Sequence, residues 1–187
     1  MRAIWMHTFT PSEAAALTEL PAKRVRKEIE YRIIEATRPP RVTFAELVYL
    51  RALQLLEVQL SVDDRVRLAR HLLAAVRHSP AVDRVDVGHV LTLRVGAIVR
   101  FLVARTQHFE RWKKRLVTSP EIMGGEPVFP GSRLTVRRVG GMLERGEAPE
   151  TIVDDYPYLT AEDLELARLY VRAYPRVGRP RTAATAH

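Results

Sequence analysis

The sequence predicts a mainly α-helical chain with a few short β segments. Three observations predict it. Thr10, Thr43, Ser61 and Thr160 are each followed three residues later by an acid, the signature of a capped helix start. Downstream of each, apolar residues recur at three- and four-residue spacings. Extended β-rich runs are short, His89–Val95 being the clearest.

In chain order, Thr10-Pro11-Ser12-Glu13 is a capping box with Pro11 suited to the first helical position, and its helix runs through Ala14, Ala15, Ala16 and Leu17 to about Glu19. Pro21 opens a second helix. Val25 and Ile29, four apart, share its buried face; Lys23, Arg26 and Lys27 fall opposite. It ends near Tyr31 to Ile34, ahead of Pro39 and Pro40. Arg32-Ile33-Ile34 and Arg41-Val42 are expected as two short strands of a wing around those prolines. Thr43 caps a helix carrying Leu47, Leu50, Leu53 and Leu56, and Ser61 starts one carrying Val66, Leu68, Ala69, Leu72, Leu73 and Val76. Ser79 to Gly88 reads as a joint, and Gly96 to Leu116 as a long helix with Ile98, Phe101, Leu102, Phe109 and Trp112 apolar. Beyond the turn signals Gly124-Gly125 and Pro130-Gly131, Thr135 caps a helix through Leu143 that Gly146 stops. Pro149 starts a short helix ended by Tyr156-Pro157, and Thr160 caps the last one, with Leu164, Ala167, Leu169, Tyr170 and Ala173. The expected organisation is residues 1–80 as one helical unit, 81–116 as a strand and long linker helix, 117–175 as a separate compact unit, and 176–187 as a flexible basic tail.

Composition narrows the function classes. The 187 residues are 47% hydrophobic and 28% charged, a balance that suits a packed core and excludes a low-complexity chain. No apolar run approaches the roughly 20 residues that span a bilayer. Met1 to His7 lacks the apolar core of a secretory leader, so a cytoplasmic protein is expected. With no cysteine, disulfides, thiolate chemistry and cysteine-bound zinc are excluded. The net charge of +8 favours a polyanion partner. That charge is clustered: Lys23 to Arg41, Arg111 to Arg115, and Arg168 onward, where no acid follows Glu165. Glu144 to Glu165 runs the other way, with eight acids against Arg145 alone, and is not expected as a phosphate contact.

Two short helices joined by a tight Leu20-Pro21 turn, the second bearing Lys23, Arg24, Arg26 and Lys27, have the form of a helix-turn-helix. A helix fits the major groove, where long cationic side chains reach phosphates and base edges. Phe9 to Ala15, Lys23 to Lys27 and Arg41 to Leu47 together resemble the winged helix-turn-helix of the MerR-like regulators, over roughly residues 7–57. The resemblance implies that the second helix reads DNA and that the wing grips its backbone. The expected contacts are Thr10, Ser12, Lys23, Arg24, Arg26 and Lys27, with Arg38 and Arg41 on the wing. A plain helical hairpin with a solvated basic face is the alternative.

The C-terminal third carries a denser pattern: Pro120-Glu121-Ile122, Gly125-Glu126-Pro127-Val128, Gly131-Ser132-Arg133 with Val136, Gly146-Glu147 with Glu150 and Ile152, Tyr156-Pro157, and Leu159-Thr160. It closely resembles the family catalogued as domain of unknown function 433, over about residues 117–175, with Ser132 for the usual Thr. Gly125, Pro127, Gly131, Arg133, Val136, Tyr156 and Pro157 are the family-motif residues. The resemblance implies a helix-turn-helix-like helical domain and the role of a VapB-like antitoxin, partnered with a PIN-like ribonuclease toxin and repressing its own promoter. Toxin contacts are expected from the last helix and tail, at Tyr170, Tyr174, Arg176, Arg179 and Arg181. An arginine placed among a nuclease's metal-binding carboxylates would block them. Gly178-Arg179-Pro180 also resembles the core of an AT-hook.

No catalytic constellation is found. His7, His71, His78, His89, His108 and His187 show no zinc-ligand spacing, and the adjacent pairs Asp63-Asp64 and Asp154-Asp155 stand at helix starts or turns. The expectation is therefore a non-enzymatic antitoxin and repressor without cofactor or metal, binding double-stranded promoter DNA and a toxin. A homodimer is expected, with the Gly96 to Leu116 helix in its interface. A one-component regulator without a toxin and a protein-interaction adaptor remain as alternatives.

Overall fold

The computed structural model describes residues 5–35, 37–56, 58–79, 81–87 and 91–176. Among them the regular structure is eight helices and two antiparallel two-stranded sheets, so the fold is mainly α. Gly88 to Val90, Arg179, Arg181 and the rest of the tail beyond Arg176 lie outside the described residues.

Strand β1 (Thr8–Phe9) leads into α1 (Pro11–Thr18) and α2 (Ala22–Glu30); β2 (Val42–Thr43) leads into α3 (Phe44–Leu55), followed by α4 (Val62–His78). The capping boxes form as the sequence predicts. Thr10 Oγ1 accepts from the Glu13 N–H at 3.2 Å while Glu13 Oε2 accepts from the Thr10 N–H at 2.8 Å, and Thr43 with Glu46 repeats the arrangement. Ser61 caps α4 through Asp64.

The wing is a correction. Val42–Thr43 pairs with Thr8–Phe9, not with Arg32 to Ile34. Arg32 turns left-handed at φ 54°, its N–H donates to the Ile29 carbonyl, and the Ile33 N–H donates to the Glu28 carbonyl. Those bonds close α2 as a Schellman motif, and they fold Ile33 and Ile34 into the core instead of along a strand. The helix ends where the sequence predicts, near Tyr31, but with an arginine at the left-handed position, where glycine is usual, the turn that follows reads as a strand.

A hairpin of β3 (Val85–Val87) and β4 (Leu91–Leu93) precedes α5 (Val95–Lys113). Its apolar side, from Ile98 to Trp112, is buried within the chain, and the Arg51 and Arg105 guanidinium groups lie over the Phe101 ring at 4.5 and 5.6 Å. The expected contribution of this helix to a homodimer interface therefore has no open apolar face behind it.

The C-terminal unit comprises a 3-10 turn at Met123–Gly125, α6 (Val136–Glu144), α7 (Pro149–Asp155) and α8 (Ala161–Ala173). Thr160 and Asp163 box the start of α8, and the Trp112 Nε1–H donates to Asp163 at 2.8 Å. Residues 117–175, expected as a unit of their own, share one core with the N-terminal helices. Helix α1 is buried from Ala14 through Thr18 and packs on α2, α3, α5 and α8. Its alanines permit that close approach on several sides.

Gly140 sets the α6–α8 crossing. A Cβ there would collide with the Ala167 carbonyl oxygen and lie 2.6 Å from Val171 Cγ1, whereas a Cβ on Gly141 meets only Arg145 Nη1 at 3.4 Å. Gly140→Ala is expected to destabilise the fold by about 1–3 kcal/mol through forced separation of the two helices. Gly141→Ala should be neutral or stabilising by up to about 1 kcal/mol through helix propensity. Urea unfolding of both variants checks the pair; equal effects would contradict this crossing.

Candidate nucleic-acid interface

The candidate interface is built on α1, the Leu20-Pro21 turn and α2. Glu19 adopts a left-handed conformation at the end of α1, φ 59°. Arg51 holds that end: its Nη1 donates to the Thr18 carbonyl at 3.1 Å and meets Glu19 Oε2 at 2.5 Å, a cation placed at the negative end of the helix dipole. Arg105 adds a second pair to Glu19 at 3.4 Å.

Lys23, Arg26 and Lys27 are exposed on α2, as expected. Its inner face differs from the prediction. Val25 is fully buried, Ile29 is half-buried, and the second fully buried residue is Glu28. The Glu28 carboxylate receives the Tyr49 hydroxyl at 2.8 Å on Oε2, an ion pair from Arg65 on Oε1, and Arg24 Nε at 3.5 Å. A buried carboxylate without such partners would be expelled or neutralised. Burial, followed by the neighbouring Glu28 charge and its hydrogen bond, pushes the Tyr49 pKa far above the ordinary phenol value, so Tyr49 stays a donor. Arg24, expected as an outward contact, is thus directed to Glu28, one helical turn along.

The remaining expected contacts divide in two. Arg38 and Arg41 are exposed in the segment before β2. Thr10 and Ser12 are half-buried at the start of α1, and the Thr10 hydroxyl is occupied by the cap.

On the C-terminal side, Tyr170 and Tyr174 do not stand open. Their rings pack at 4.9 Å, and Tyr170 meets Trp112 edge-on at 6.4 Å. The Tyr174 hydroxyl donates to Glu13 Oε1 at 2.8 Å and accepts from Lys113 at 2.9 Å, joining the end of α8 to the cap of α1. Burial, then the Glu13 hydrogen bond and charge, raise the Tyr174 pKa well above the ordinary phenol value. Burial raises the Glu13 pKa, but the Thr10 N–H, the Tyr174 hydroxyl and Lys113 together carry it below the ordinary carboxylate value. Arg176 is exposed and pairs with Glu126 at 2.8 Å.

The motif residues shape the C-terminal unit. Gly125 and Gly131 take φ 85° and 70°, the left-handed region. The Pro127 carbonyl accepts from the Val136 N–H at 3.0 Å, and Val136 is fully buried. Arg133 is exposed, and Tyr156 stacks edge-on with Tyr158. Five of the eight acids of Glu144 to Glu165 are paired within the chain: Glu144 with Arg168 and Arg172, Glu147 with Arg145, Glu162 with Arg115 and the His108 ring, Asp163 with Arg115, and Glu165 with Arg105. No group of His, Asp or Glu among the described residues is placed to hold a metal ion, and no helix there is long and apolar enough to cross a membrane.

Residues 116–171 match the family described as Protein of unknown function (DUF433). A DUF433 domain occupies that segment. An uncharacterized protein, y4eO, of Sinorhizobium fredii (strain NBRC 101917 / NGR234) is 33% identical over 121 residues, which cover 62% of this chain and 55% of that protein. The chain thus spans about half the length of that curated relative. No solved structure matches.

Removing the Glu28 charge leaves the Arg65 guanidinium buried and unpaired. Glu28→Gln and Arg65→Ala are each expected to cost about 3–5 kcal/mol, and the double variant much less than their sum. A double-mutant cycle by urea unfolding checks this; additive losses would contradict the coupling.

Proposed function

We propose that this chain is a DNA-binding antitoxin that represses its own promoter through the α1–α2 unit and neutralises a PIN-like ribonuclease toxin. One observation carries the DNA-binding part: Lys23, Arg26 and Lys27 stand exposed on α2, while the inner face of that helix is fastened by Val25 and the buried Glu28 cluster. A helix so held presents its cations at a fixed orientation, which groove docking requires. The net charge of +8 adds long-range attraction to phosphate. The pairing of β1 with β2 braces the start of α1 against that of α3. The antitoxin part rests on the resemblance of residues 117–175 and the role that resemblance implies; the DUF433 match covers residues 116–171. No chemical step is assigned to the chain.

A one-component regulator without a toxin is the second reading. The engagement of Tyr170 and Tyr174 within the chain favours it, because two residues expected at a toxin interface already have partners.

Lys23→Ala/Lys27→Ala is expected to weaken binding to the upstream DNA of its own gene and to lower the slope of log K against log salt by about 2. Fluorescence anisotropy across a salt titration measures both. An unchanged affinity and slope would reject α2 as the contact. Growth rescue on co-expression with a neighbouring nuclease-like product separates the antitoxin from the one-component regulator.

A further inference from the structure

The C-terminal unit holds a cleft of about 960 Å³ between α6 and α8 that none of the expected contacts except Arg176 touches. Five guanidinium groups line it: Arg137 and Arg138 from α6, Arg145 just after it, Arg172 from α8 and Arg176 beyond it. Three carboxylates, Glu126, Glu144 and Glu147, share the wall. Each carboxylate already has an arginine partner: Arg176 at 2.8 Å on Glu126, Arg172 at 2.8 Å on Glu144, and Arg145 at 2.9 Å on Glu147. Arg137 also pairs with Glu126 at 3.7 Å and donates to the Tyr174 carbonyl at 2.9 Å. Arg138 is exposed and, among the described residues, has no ion-pair partner. Counted by formal charge, the lining carries two more positive than negative groups.

We infer that this cleft is the docking site for an acidic segment of a partner protein, held by Arg138 and Arg145 at its edge. Exposed arginine–glutamate pairs contribute little to stability, so an incoming carboxylate can take Arg145 from Glu147 at small cost. The planar fork of arginine suits a bidentate carboxylate. Met142, Val171 and Pro175 add apolar lining that receives the aliphatic side chains of a peptide. A duplex fits less well, because its phosphate backbone would leave that apolar lining unused. Residues 177–187 carry Arg179 and Arg181 and no acid, so they offer the cleft no carboxylate side chain. This inference rests on the reading that the DUF433 domain serves a protein partner, and it moves the expected contact from Tyr170 and Tyr174 to the cleft.

The test uses the full-length chain and two fluorescein-labelled probes, a short Glu/Leu peptide and a random-sequence DNA duplex, read by anisotropy. Arg138→Ala/Arg145→Ala should weaken the peptide by about tenfold and leave duplex binding unchanged; Lys23→Ala/Lys27→Ala should do the reverse. Both arginines are exposed, and an unchanged far-UV circular dichroism spectrum establishes that the variant folds. Absent peptide binding, peptide binding indifferent to Arg138→Ala/Arg145→Ala, or duplex binding lost in that variant each overturns the cleft as a peptide site. Co-purification of a toxin undiminished by Arg138→Ala/Arg145→Ala keeps the antitoxin reading and rejects the cleft. Peptide capture in the cleft without toxin neutralisation keeps the cleft and rejects the antitoxin.

Discussion

The burial of α1 constrains everything around it. Four helices pack on this short element, which restricts its middle to Ala14, Ala15, Ala16 and Leu17, and Thr18 turns its hydroxyl inward to the Ala14 carbonyl at 2.6 Å. Both ends are fixed, by the Thr10–Glu13 box and by Arg51 on the Thr18 carbonyl. Because α2 leaves α1 through a three-residue connection, residues 19–21, a fixed α1 aims α2. The same helix meets α8, and the Tyr174–Glu13 hydrogen bond ties the DUF433 segment to the α1 cap. A larger side chain at Ala14 or Ala16 would therefore disturb the basic helix and the C-terminal unit together.

Local chemistry was legible in the residues. Thr10, Thr43, Ser61, Thr135 and Thr160 each cap the helix that the spacing predicts. Those signals act within one turn of chain, and nothing distant overrides them. The failures are all long-range. Glu28 reads as one more acid on a basic helix until Tyr49 and Arg65, on two other helices, close around it. Arg32 to Ile34 reads as β-prone, yet the core takes both isoleucines and the backbone closes α2 behind them. Tyr170 and Tyr174 read as a contact surface; the aromatic cluster with Phe109 and Trp112 and the bond to Glu13 give them partners inside the chain.

Charge illustrates the same division. The stretch Glu144 to Glu165 is acidic by count, but in the fold five of its eight carboxylates, Glu144, Glu147, Glu162, Asp163 and Glu165, pair with arginines of the chain. Part of what stays open lies where the count puts it, and part does not. Lys23, Arg26 and Lys27 face outward at one site, and Arg138 and Arg145 border the cleft at another. These two cationic surfaces suit two different acidic partners, one a continuous phosphate backbone and the other a segment that brings apolar side chains with its carboxylates.

The central claim is that DNA engages the chain through α2 while the DUF433 segment stays clear of it. Backbone amide NMR of the full-length protein, titrated with its own promoter duplex, maps this directly. The account predicts shift perturbations concentrated in Pro11 to Glu30, with residues 116–171 largely unmoved. Perturbations concentrated in residues 116–171, with Lys23 to Lys27 unchanged, would contradict it.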